Sequence, residues 1–353
     1  MKEIIVLGIE TSCDETSAAI VVDGRKCLSN VIATQIPLHR RFGGVVPEIA
    51  SRAHTESVNQ VVADALEQAG IGFSEIDVVA VTNGPGLVGA LLVGVSTAKA
   101  LAYALAKPLV AVHHIDAHIS ANYLESPSPE PPFLCLVVSG GHTQTVFVKG
   151  YGEYEPIGQT LDDAAGEAFD KAARVLGLPY PGGPALDRLA EGASFPYTAL
   201  RLPRAKTQSP YDFSFSGLKT AFTQMKRSGA LDGVSADDAA AAFREAVCDA
   251  LVDKTMLAAR DAAEKYGIPD MPIALAGGVA ANSRLRAMLK SRADEANLPL
   301  YIPSAKLCTD NAAMVACAGY HNYIANKVAD MSLNAVPSVG LYAYNRPSVH
   351  IDS

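Results

Sequence analysis

The sequence has few cysteines and no pairing pattern among them. Six cysteines occur in 353 residues, and no two of them form a Cys-x-x-Cys motif. This low density excludes a small scaffold held together by disulfides. We therefore expect the protein to work in a reduced, cytoplasmic compartment.

Basic residues are also sparse. Lys and Arg number 29 against 37 Asp and Glu, which gives a net charge of −8. A protein that grips nucleic acid with its whole surface is excluded, so any phosphate contacts must come from a local basic patch or from a partner. Two local clusters of basic residues are candidates for such a patch, although clusters of this kind are usually solvated. They are His39-Arg40-Arg41 with Arg52, and Arg201, Arg204 and Lys206.

Long apolar runs are missing as well. The N-terminal run ends in acidic residues and lacks a secretory pattern. The most apolar stretch, 87–112, is interrupted by Ser96, Lys99 and Pro108, which favours a buried helix plus strand over a membrane span. Apolar residues still make up 49% of the chain, enough for about two domains. We expect a soluble α/β protein with no membrane association.

The strand pattern occurs twice along the chain. Each copy has an apolar strand and hairpin, then a later strand, a glycine turn and a helix. The first copy uses Ile4–Ile9, Ala18–Val22, Ile76–Thr82, Asn83–Gly86 and a helix from Val88; the second uses Phe133–Val138, Thr145–Val148, Pro272–Ala276, Gly277–Gly278 and a helix over 282–292.

This repeat predicts two similar α/β lobes, residues 1–130 and 131–353, with a turn-rich insert at about 150–233 in the second lobe. The glycine turns would face each other across a cleft, where their backbone N–H groups suit phosphate. Actin, the sugar kinases and the Hsp70 ATPases share this architecture.

The sharpest local signal is LVAVHHIDAH over 109–118, where a strand runs into a helix. His114 and His118 are four residues apart, so on a helix both rings lie on one face within reach of one metal ion. Asp310 follows the strand that ends near Ile302 and is the candidate third ligand. Two histidines and a carboxylate suit iron(II) or zinc equally well. The competing interpretation is a pair of helix-surface histidines.

The histidine helix does not fit a zinc peptidase. The HExxH motif of those enzymes places a glutamate directly after the first histidine as general base. Here that position is Ile115, and the acid is Asp116. The peptidase mechanism therefore lacks its base.

Three further segments have candidate binding groups, each with a structural alternative. Ser139-Gly140-Gly141-His142 follows a strand and could either cradle a ligand or form only a tight hairpin. Asn282 could bind a ribose or base, or simply cap a helix. Asp14 and Glu15 could place a cation or accept a proton, or be solvated turn acids.

Taken together, these segments resemble one family, the bacterial tRNA N6-adenosine threonylcarbamoyltransferases (TsaD), formerly described as O-sialoglycoprotein endopeptidases. The resemblance runs through nearly the whole chain. Besides the histidine helix, its segments are Gly8–Thr16, Asn83–Gly86, Val138–Thr143, Asp162–Lys171, Pro181–Gly183, Ala276–Asn282 and Thr309–Asn311.

The resemblance implies a two-lobed actin-like ATPase fold (the ASKHA, or duplicated RNase H-like, fold) with the ligand cleft between the lobes. It implies one divalent metal on His114, His118 and Asp310, more often iron(II) than zinc. The family more often has Glu-Gly where this chain has Asp116-Ala117, which leaves the role of that acid open. The implied substrate-binding positions are Val137, Val138, Ser139, Gly140, Gly141, Asp170, Gly183, Asp187 and Asn282.

The implied reaction moves a threonylcarbamoyl group from threonylcarbamoyl-AMP to the N6-amino group of the adenosine 3′ of the anticodon (position 37), in tRNAs that read A-initial codons. AMP is released, the metal acts as Lewis acid and substrate anchor, and ATP or ADP would fit the same cleft. Asp14 is the candidate catalytic residue that positions or deprotonates the amine. The implied partners are tRNA, a TsaB-like paralogue, a TsaE-like ATPase and an upstream synthase that supplies threonylcarbamoyl-AMP.

Three competing functions are considered beside this one, and each is less consistent with the residues. A small-molecule kinase or ATPase could share the two-lobed fold, since fold does not fix function, but it would not need the histidine pair. A metalloendopeptidase lacks its base. A nucleotide-binding scaffold without catalysis would not need a full metal and adenylate set.

Overall fold

A computed structural model describes residues 2–193, 200 and 202–344 of the chain, and within them the strands form two five-stranded sheets. The first sheet comprises β1 Ile5–Glu10, β2 Glu15–Val22, β3 Lys26–Thr34, β4 Val78–Gly84 and β5 Leu109–His113. The second comprises β6 Phe133–Val138, β7 Thr143–Gly150, β8 Glu153–Gln159, β9 Ile273–Ala276 and β10 Leu300–Tyr301.

The two sheets have the same topology. The first has the order β3-β2-β1-β4-β5, and the second, taken from its far edge, has the order β8-β7-β6-β9-β10. In each, the first strand pairs antiparallel with its hairpin partner and parallel with the later strand. The predicted duplication is confirmed. Strands β3 and β8 were not predicted, because edge strands are half exposed and lack a continuous apolar run.

Helices cover both sheets. The helices of the first half are α1 Ile36–Arg40, α2 Pro47–Ala69, α3 Val88–Leu105 and α4 His114–Ser120. Those of the second half are α5 Ala165–Val175, α6 Gly182–Ala190, α7 Ser216–Arg227, α8 Ala236–Tyr266, α9 Ser283–Glu295, α10 Ala305–Cys308, α11 Ala312–Ile324 and α12 Leu341–Tyr344. Short 3₁₀ helices occur at Phe73–Glu75, Ala121–Leu124 and Gly278–Ala281.

The first sheet is buried on both faces because its strands are apolar at successive positions. Leu7 and Ile9 of β1 pack with α2 and α3 on one face, while Val6 packs with α4 and α11 on the other. Strands of this kind, with helices on both faces, are typical of parallel α/β sheets. The second sheet packs its own core against α5 to α9.

Helix α11 returns the chain to the first sheet. Its residues Ala312–Ala318 pack with Val6, Ala80 and Val110 of β1, β4 and β5. The predicted second lobe runs to the C-terminus, whereas the structure puts this late helix against the first lobe. The reason is that α11 is apolar all round and its small residues let it lie close to the strands. The predicted insert from about residue 150 also includes β8, which belongs to the second sheet.

By length and composition, helix α3 could cross a membrane. Among the described residues it is the only helix that meets this criterion. Core helices of soluble proteins pass the same test. Here Leu91, Val95 and Ala98 are buried against α2 and the first sheet. The predicted buried helix, followed by strand β5, is confirmed.

Gly8 provides a test of this packing. A Cβ at residue 8 would lie 2.4 Å from the Ala312 carbonyl oxygen and 2.7 Å from the Ala316 backbone nitrogen. We expect Gly8→Ala to lower the free energy of unfolding by about 1–3 kcal/mol, because backbone atoms of α11 must move. Gly140→Ala is the control, since a Cβ there meets nothing within 4 Å. Equal urea midpoints for the two variants would contradict this description of the α11 contact.

Candidate metal and substrate site

Helix α4 lies between the lobes and carries the histidines. Its Ala117 packs toward the first sheet, while Ile115 and Ile119 pack against the second. His113 caps the helix, because its Nδ1 accepts a hydrogen bond from the Ile115 backbone nitrogen at 3.1 Å and its Nε2 contacts the Val339 carbonyl oxygen at 3.1 Å. His113 is therefore structural, and the remaining face of α4 presents His114 and His118.

The three predicted metal ligands come together. His118 Nε2 lies 3.2 Å and His114 Nε2 3.6 Å from Asp310 Oδ1. One donor atom from each residue lies within 4.8 Å of the others. Asp310 stands just before α11, whose return to the first lobe brings it against α4. The interpretation of the histidines as a solvated surface pair is wrong, since both rings are buried.

The residues present fit a divalent metal. Both ring nitrogens of His118 are buried without a hydrogen bond, and the approach of Nε2 to Asp310 lacks hydrogen-bond alignment. Buried polar atoms almost always have partners, so an orphaned imidazole beside a carboxylate indicates a group that the ligands share. Two neutral imidazoles and a carboxylate suit iron(II) or zinc.

A buried glutamate stands behind His114. Glu10, at the end of β1, is fully buried and accepts hydrogen bonds from the Ser12 backbone nitrogen at 2.5 Å and Thr82 Oγ1 at 2.6 Å. Its Oε2 lies 3.6 Å from His114 Nδ1, and Ser12 Oγ contacts the same nitrogen at 3.2 Å. A carboxylate here favours a proton on Nδ1, so Nε2, the nitrogen that faces Asp310, is the one available to a metal when the ring is neutral.

The charges around His114 and Asp310 favour the binding of a cation. Burial alone would lower the pKa of His114, but Asp310 and Glu10 outweigh it and raise the pKa to about 9. Burial would likewise raise the pKa of Asp310, yet His114 and His118 hold that pKa below its usual range. Without a metal the site therefore holds a proton on His114, and a metal would displace it.

Asp116, the acid between the two ligands, points away from them. It accepts hydrogen bonds from Tyr154 Oη, from Ser120 Oγ at 3.2 Å and from Asn322 Nδ2 at 3.4 Å. It is buried among these donors between the lobes. Asp116 therefore fixes the orientation of α4 and takes no direct part in the ligand set.

Asp14 lies at the mouth of the cleft between the lobes. Tyr180 Oη, from the second lobe, donates a hydrogen bond to Asp14 Oδ2 at 3.4 Å. Burial, followed by the charge of Asp310, raises the pKa of Asp14. Burial also raises the pKa of the neighbouring Cys13, so its thiol stays protonated. A carboxylate with a raised pKa beside a metal site can accept a proton.

The predicted glycine turn of the second lobe is open on one side. The turn closes through Ser139 N to the His142 carbonyl oxygen at 2.8 Å and His142 N to Ser139 Oγ at 3.1 Å. A Cβ at Gly140 or Gly141 would meet nothing within 4 Å, so this side of the turn has room for a ligand, while Gly166 packs against the Gly140 backbone. Val137 and Val138, just before the turn, are buried in β6.

Gly277 joins this turn to the next one. Its φ is +91°, and a Cβ would lie 2.4 Å from the Val138 carbonyl oxygen. Only glycine fits there, because the two turns touch backbone to backbone. The glycine turns after β6 and β9 therefore form one continuous surface.

The remaining predicted substrate residues have hydrogen-bond partners within the second lobe. Asp170 Oδ1 accepts hydrogen bonds from Gly182 N at 2.8 Å and Gly183 N at 3.0 Å. Asp187 pairs with Arg244 at 2.8 Å and accepts a hydrogen bond from the Ser283 backbone nitrogen at 2.9 Å. Asn282 Oδ1 caps α9 through Leu285 N at 2.9 Å. The sequence left the cap and ligand roles of Asn282 open, and the structure shows the cap.

Sequence comparison decides the family. The family model for tRNA N6-adenosine threonylcarbamoyltransferase (TsaD) matches residues 26–317. A protein of that name from Symbiobacterium thermophilum is 53% identical over 342 residues, which cover 97% of this chain and 98% of the relative. One from Clostridioides difficile is 52% identical and covers 96% and 99%. The chain belongs to the TsaD family.

Solved structures show the same fold at low identity. HypF from T. kodakarensis matches with a TM-score of 0.60 and 14% identity, over 93% of this chain and 49% of that one. Component A of the (R)-2-hydroxyglutaryl-CoA dehydratase of Acidaminococcus fermentans matches with a TM-score of 0.53 and 14% identity, over 91% and 99%. With the duplicated topology, these matches confirm the predicted two-lobed actin-like ATPase fold. Membership of the TsaD family favours a transferase over a kinase.

The first glycine turn of this TsaD chain does not line the cleft as predicted. A Cβ at Gly84 would lie 2.1 Å from the Val336 carbonyl oxygen, and Gly86 N donates a hydrogen bond to the Pro337 carbonyl oxygen at 3.2 Å. The late segment around residue 336 therefore covers this turn and uses its backbone groups. The expectation of two facing phosphate turns is wrong for the first lobe.

The sequence assigns no individual role to Glu10, Tyr180 or His142. The His142 ring, in the last residue of the Ser139–His142 turn, lies 6.2 Å from that of His114. Burial, with a further effect of His114, lowers the pKa of His142 to about 3, so its ring is neutral at physiological pH. Glu10 could have been identified from the sequence as a candidate site residue, because it is a charged residue at the end of a buried strand.

Proposed function

We propose that this chain transfers the threonylcarbamoyl group of threonylcarbamoyl-AMP to the N6-amino group of adenosine 37, in tRNAs that read A-initial codons. The observation that supports this most strongly is one cleft holding both a His114, His118 and Asp310 cation site and an open glycine surface, in a TsaD family member. A kinase would not need that cation site.

The reaction balances without an added oxidant or reductant. The N6 nitrogen attacks the carbamoyl carbon of the mixed anhydride, and an N–C bond forms. The bond from that carbon to the phosphate oxygen breaks, and AMP leaves with the electron pair. N6 loses one proton. Adenine N6 is a weak nucleophile, so an activated acyl donor and an acceptor for that proton are what this chemistry requires.

The residues divide these tasks. The backbone at Gly140 and Gly141 and the α9 start at Asn282 would receive the adenylate half of the donor. His114, His118 and Asp310 would hold iron(II) or zinc, which supplies Lewis acidity for a carbonyl of the threonylcarbamoyl half. Most of the rate enhancement would come from holding donor and acceptor together, with charge stabilised in a dry cleft.

Asp14 is the proposed proton acceptor. We expect Asp14→Asn to lower kcat by about 10²- to 10⁴-fold, while metal content and tRNA affinity stay near wild type. Because the pKa of Asp14 is raised, the wild-type rate should fall as pH decreases through that pKa, and the variant should lack this decrease. A pH-rate profile for both proteins checks this. A variant that keeps wild-type kcat would remove Asp14 from the mechanism.

The proposed setting is the cytoplasm, with a TsaB-like paralogue, a TsaE-like ATPase and a synthase that supplies threonylcarbamoyl-AMP. Helix α3 supports a protein partner, because Val88, Leu92 and Tyr103 are 52%, 42% and 80% exposed on its outer side. We propose that the paralogue contacts this side of α3.

A reconstituted reaction tests the proposal. Protein, partner subunits, threonylcarbamoyl-AMP and unmodified tRNA are mixed, and the tRNA is digested for nucleoside mass analysis. We expect a threonylcarbamoyladenosine peak that His114→Ala removes. If no peak forms with metal and partners shown to be present, the transferase proposal fails and the kinase alternative would be tested next.

A further inference from the structure

A basic patch spans the mouth of the cleft, and it is formed by both lobes. Arg40 Nε donates a hydrogen bond to the Tyr180 carbonyl oxygen at 3.2 Å, and Arg174 donates one to the Gly43 carbonyl oxygen at 2.8 Å. The first-lobe segment after α1 and the second-lobe segment after α5 therefore meet over the cleft. We name Arg40, Arg41, Phe42 and Arg174 the cleft-mouth patch.

Among the described residues the arginines of the cleft-mouth patch form no direct ion pair. Burial raises the pKa of Asp170, four residues before Arg174 on α5, but the charge of Arg174 acts to lower it. Arg40 and Arg174 contact backbone carbonyl oxygens, and the Arg41 guanidinium lies 5.1 Å from the centre of the Phe42 ring. Within the described residues, none of the three arginines pairs with a carboxylate. Lys171 in contrast is paired with Asp163 and Glu167.

The patch also exposes an aromatic ring. Phe42 is 51% exposed beside Arg41. Cationic side chains around an exposed aromatic are the combination that binds single-stranded RNA, because arginines hold phosphates while the ring stacks on an unpaired base. An anticodon loop has both phosphates and unpaired bases.

In the other basic cluster found in the sequence, Arg204 is neutralised, whereas Lys206 has no ion pair among the described residues. Arg204 pairs with Asp249 at 2.9 Å and Asp253 at 3.1 Å, and Asp253 also pairs with Arg292 at 3.0 Å. Arg201 lies outside the described residues. The second cluster therefore presents an arginine and its carboxylates together, which phosphate does not favour.

The position of the patch agrees with the reaction. The Tyr180 backbone that holds Arg40 belongs to the same residue whose hydroxyl donates to Asp14. Because Tyr180 joins Asp14 to Arg40, the nucleotides that flank an adenosine bound at Asp14 would lie over the patch. With a net charge of −8, phosphate contacts require either a local positive surface of this kind or one that a partner supplies.

We propose that the cleft-mouth patch is the tRNA-binding surface of this chain, with the arginines on anticodon-loop phosphates and Phe42 stacked on an unpaired base. This inference rests on the proposed function. It chooses between the two basic clusters, which the sequence alone cannot do.

The test separates RNA binding from transfer. Binding of a fluorescent anticodon stem-loop to the chain with its partner subunits is measured by anisotropy across salt concentrations. We expect Arg41→Ala with Arg174→Ala to raise Kd about tenfold or more and to reduce the slope of log Kd against log salt by about 2. Phe42→Ala should raise Kd about fivefold or more with the salt slope unchanged.

Arg204→Ala with Arg292→Ala is the matched control, since it removes the same charge from the neutralised arginines and should leave Kd within about twofold. Arg41→Glu is a further variant that guards against loss of folding, because among the described residues the Arg41 side chain contacts only Phe42. If both double variants weaken binding equally, or neither does while wild type binds and modifies tRNA, the patch proposal is overturned and the proposed function stands. If wild type neither binds nor modifies the RNA, both are overturned.

Discussion

Asp310→Ala is expected to abolish transfer and to lower metal affinity by at least about 100-fold. The carboxylate lies 3.2 Å from His118 Nε2 and 3.6 Å from His114 Nε2, so it closes the ligand set and supplies its negative charge. Without it, two imidazoles remain, and His114 loses the first of the carboxylates that raise its pKa. Removing a ligand from a three-residue site leaves too few donors to compete with water.

Metal content by mass spectrometry, after equilibration with one equivalent of iron(II) or zinc, measures the effect directly. Asp116→Asn is the matched control, because this buried acid on α4 points away from the ligands. It should cost stability but retain metal. An Asp310→Ala protein that keeps one tightly bound metal per chain would contradict the assignment of the ligand set.

Glu10→Gln should reduce metal affinity by about 10- to 100-fold although Glu10 is not a ligand. The glutamine keeps the volume and can still accept from Ser12 N. Its amide nitrogen, placed at Oε2, would face His114 Nδ1 with a donor instead of an acceptor. The ring would then favour a proton on Nε2, where the metal must bind.

Metal titration followed by calorimetry checks this, and ¹⁵N shifts of the histidine rings report the tautomer independently of activity. Thr82→Val is a useful comparison, because it removes the other donor to Oε2 and leaves the carboxylate. It should change affinity much less than Glu10→Gln. Equal metal affinity in wild type and Glu10→Gln, with an unchanged tautomer, would show that Glu10 only fills space.

The elements that could be predicted are those with strong local signals. The buried runs of β1 and β6, and the glycine turn before α9, follow from apolar periodicity and turn residues. The pairing of His114 with His118 follows from helical spacing. Ser235 has the residue type typical of a helix N-cap, and it caps α8 by accepting a hydrogen bond from Asp238 N at 3.2 Å. Each of these depends on residues close in sequence.

The features that could not be predicted depend on contacts between distant segments. The chain's return through α11 brings Asp310 to α4, and the sequence suggested this contact only through the chemistry of the residues. The contact of Tyr180 with Asp14 spans 166 positions, and the contact of Gly84 with Val336 spans more. No local pattern marks such approaches. The charge of Arg204 also looked free until its carboxylate partners on α8 were placed beside it.

The most direct test of the transferase mechanism is a product balance under single turnover. Threonylcarbamoyl-AMP labelled in both halves is mixed with excess metal-loaded complex and tRNA, in the absence of ATP. The account predicts that AMP and threonylcarbamoyl-tRNA form at the same rate and in a one-to-one ratio, and that Asp310→Ala forms neither. Release of AMP without label on adenosine, or modification that persists in Asp310→Ala, would contradict it.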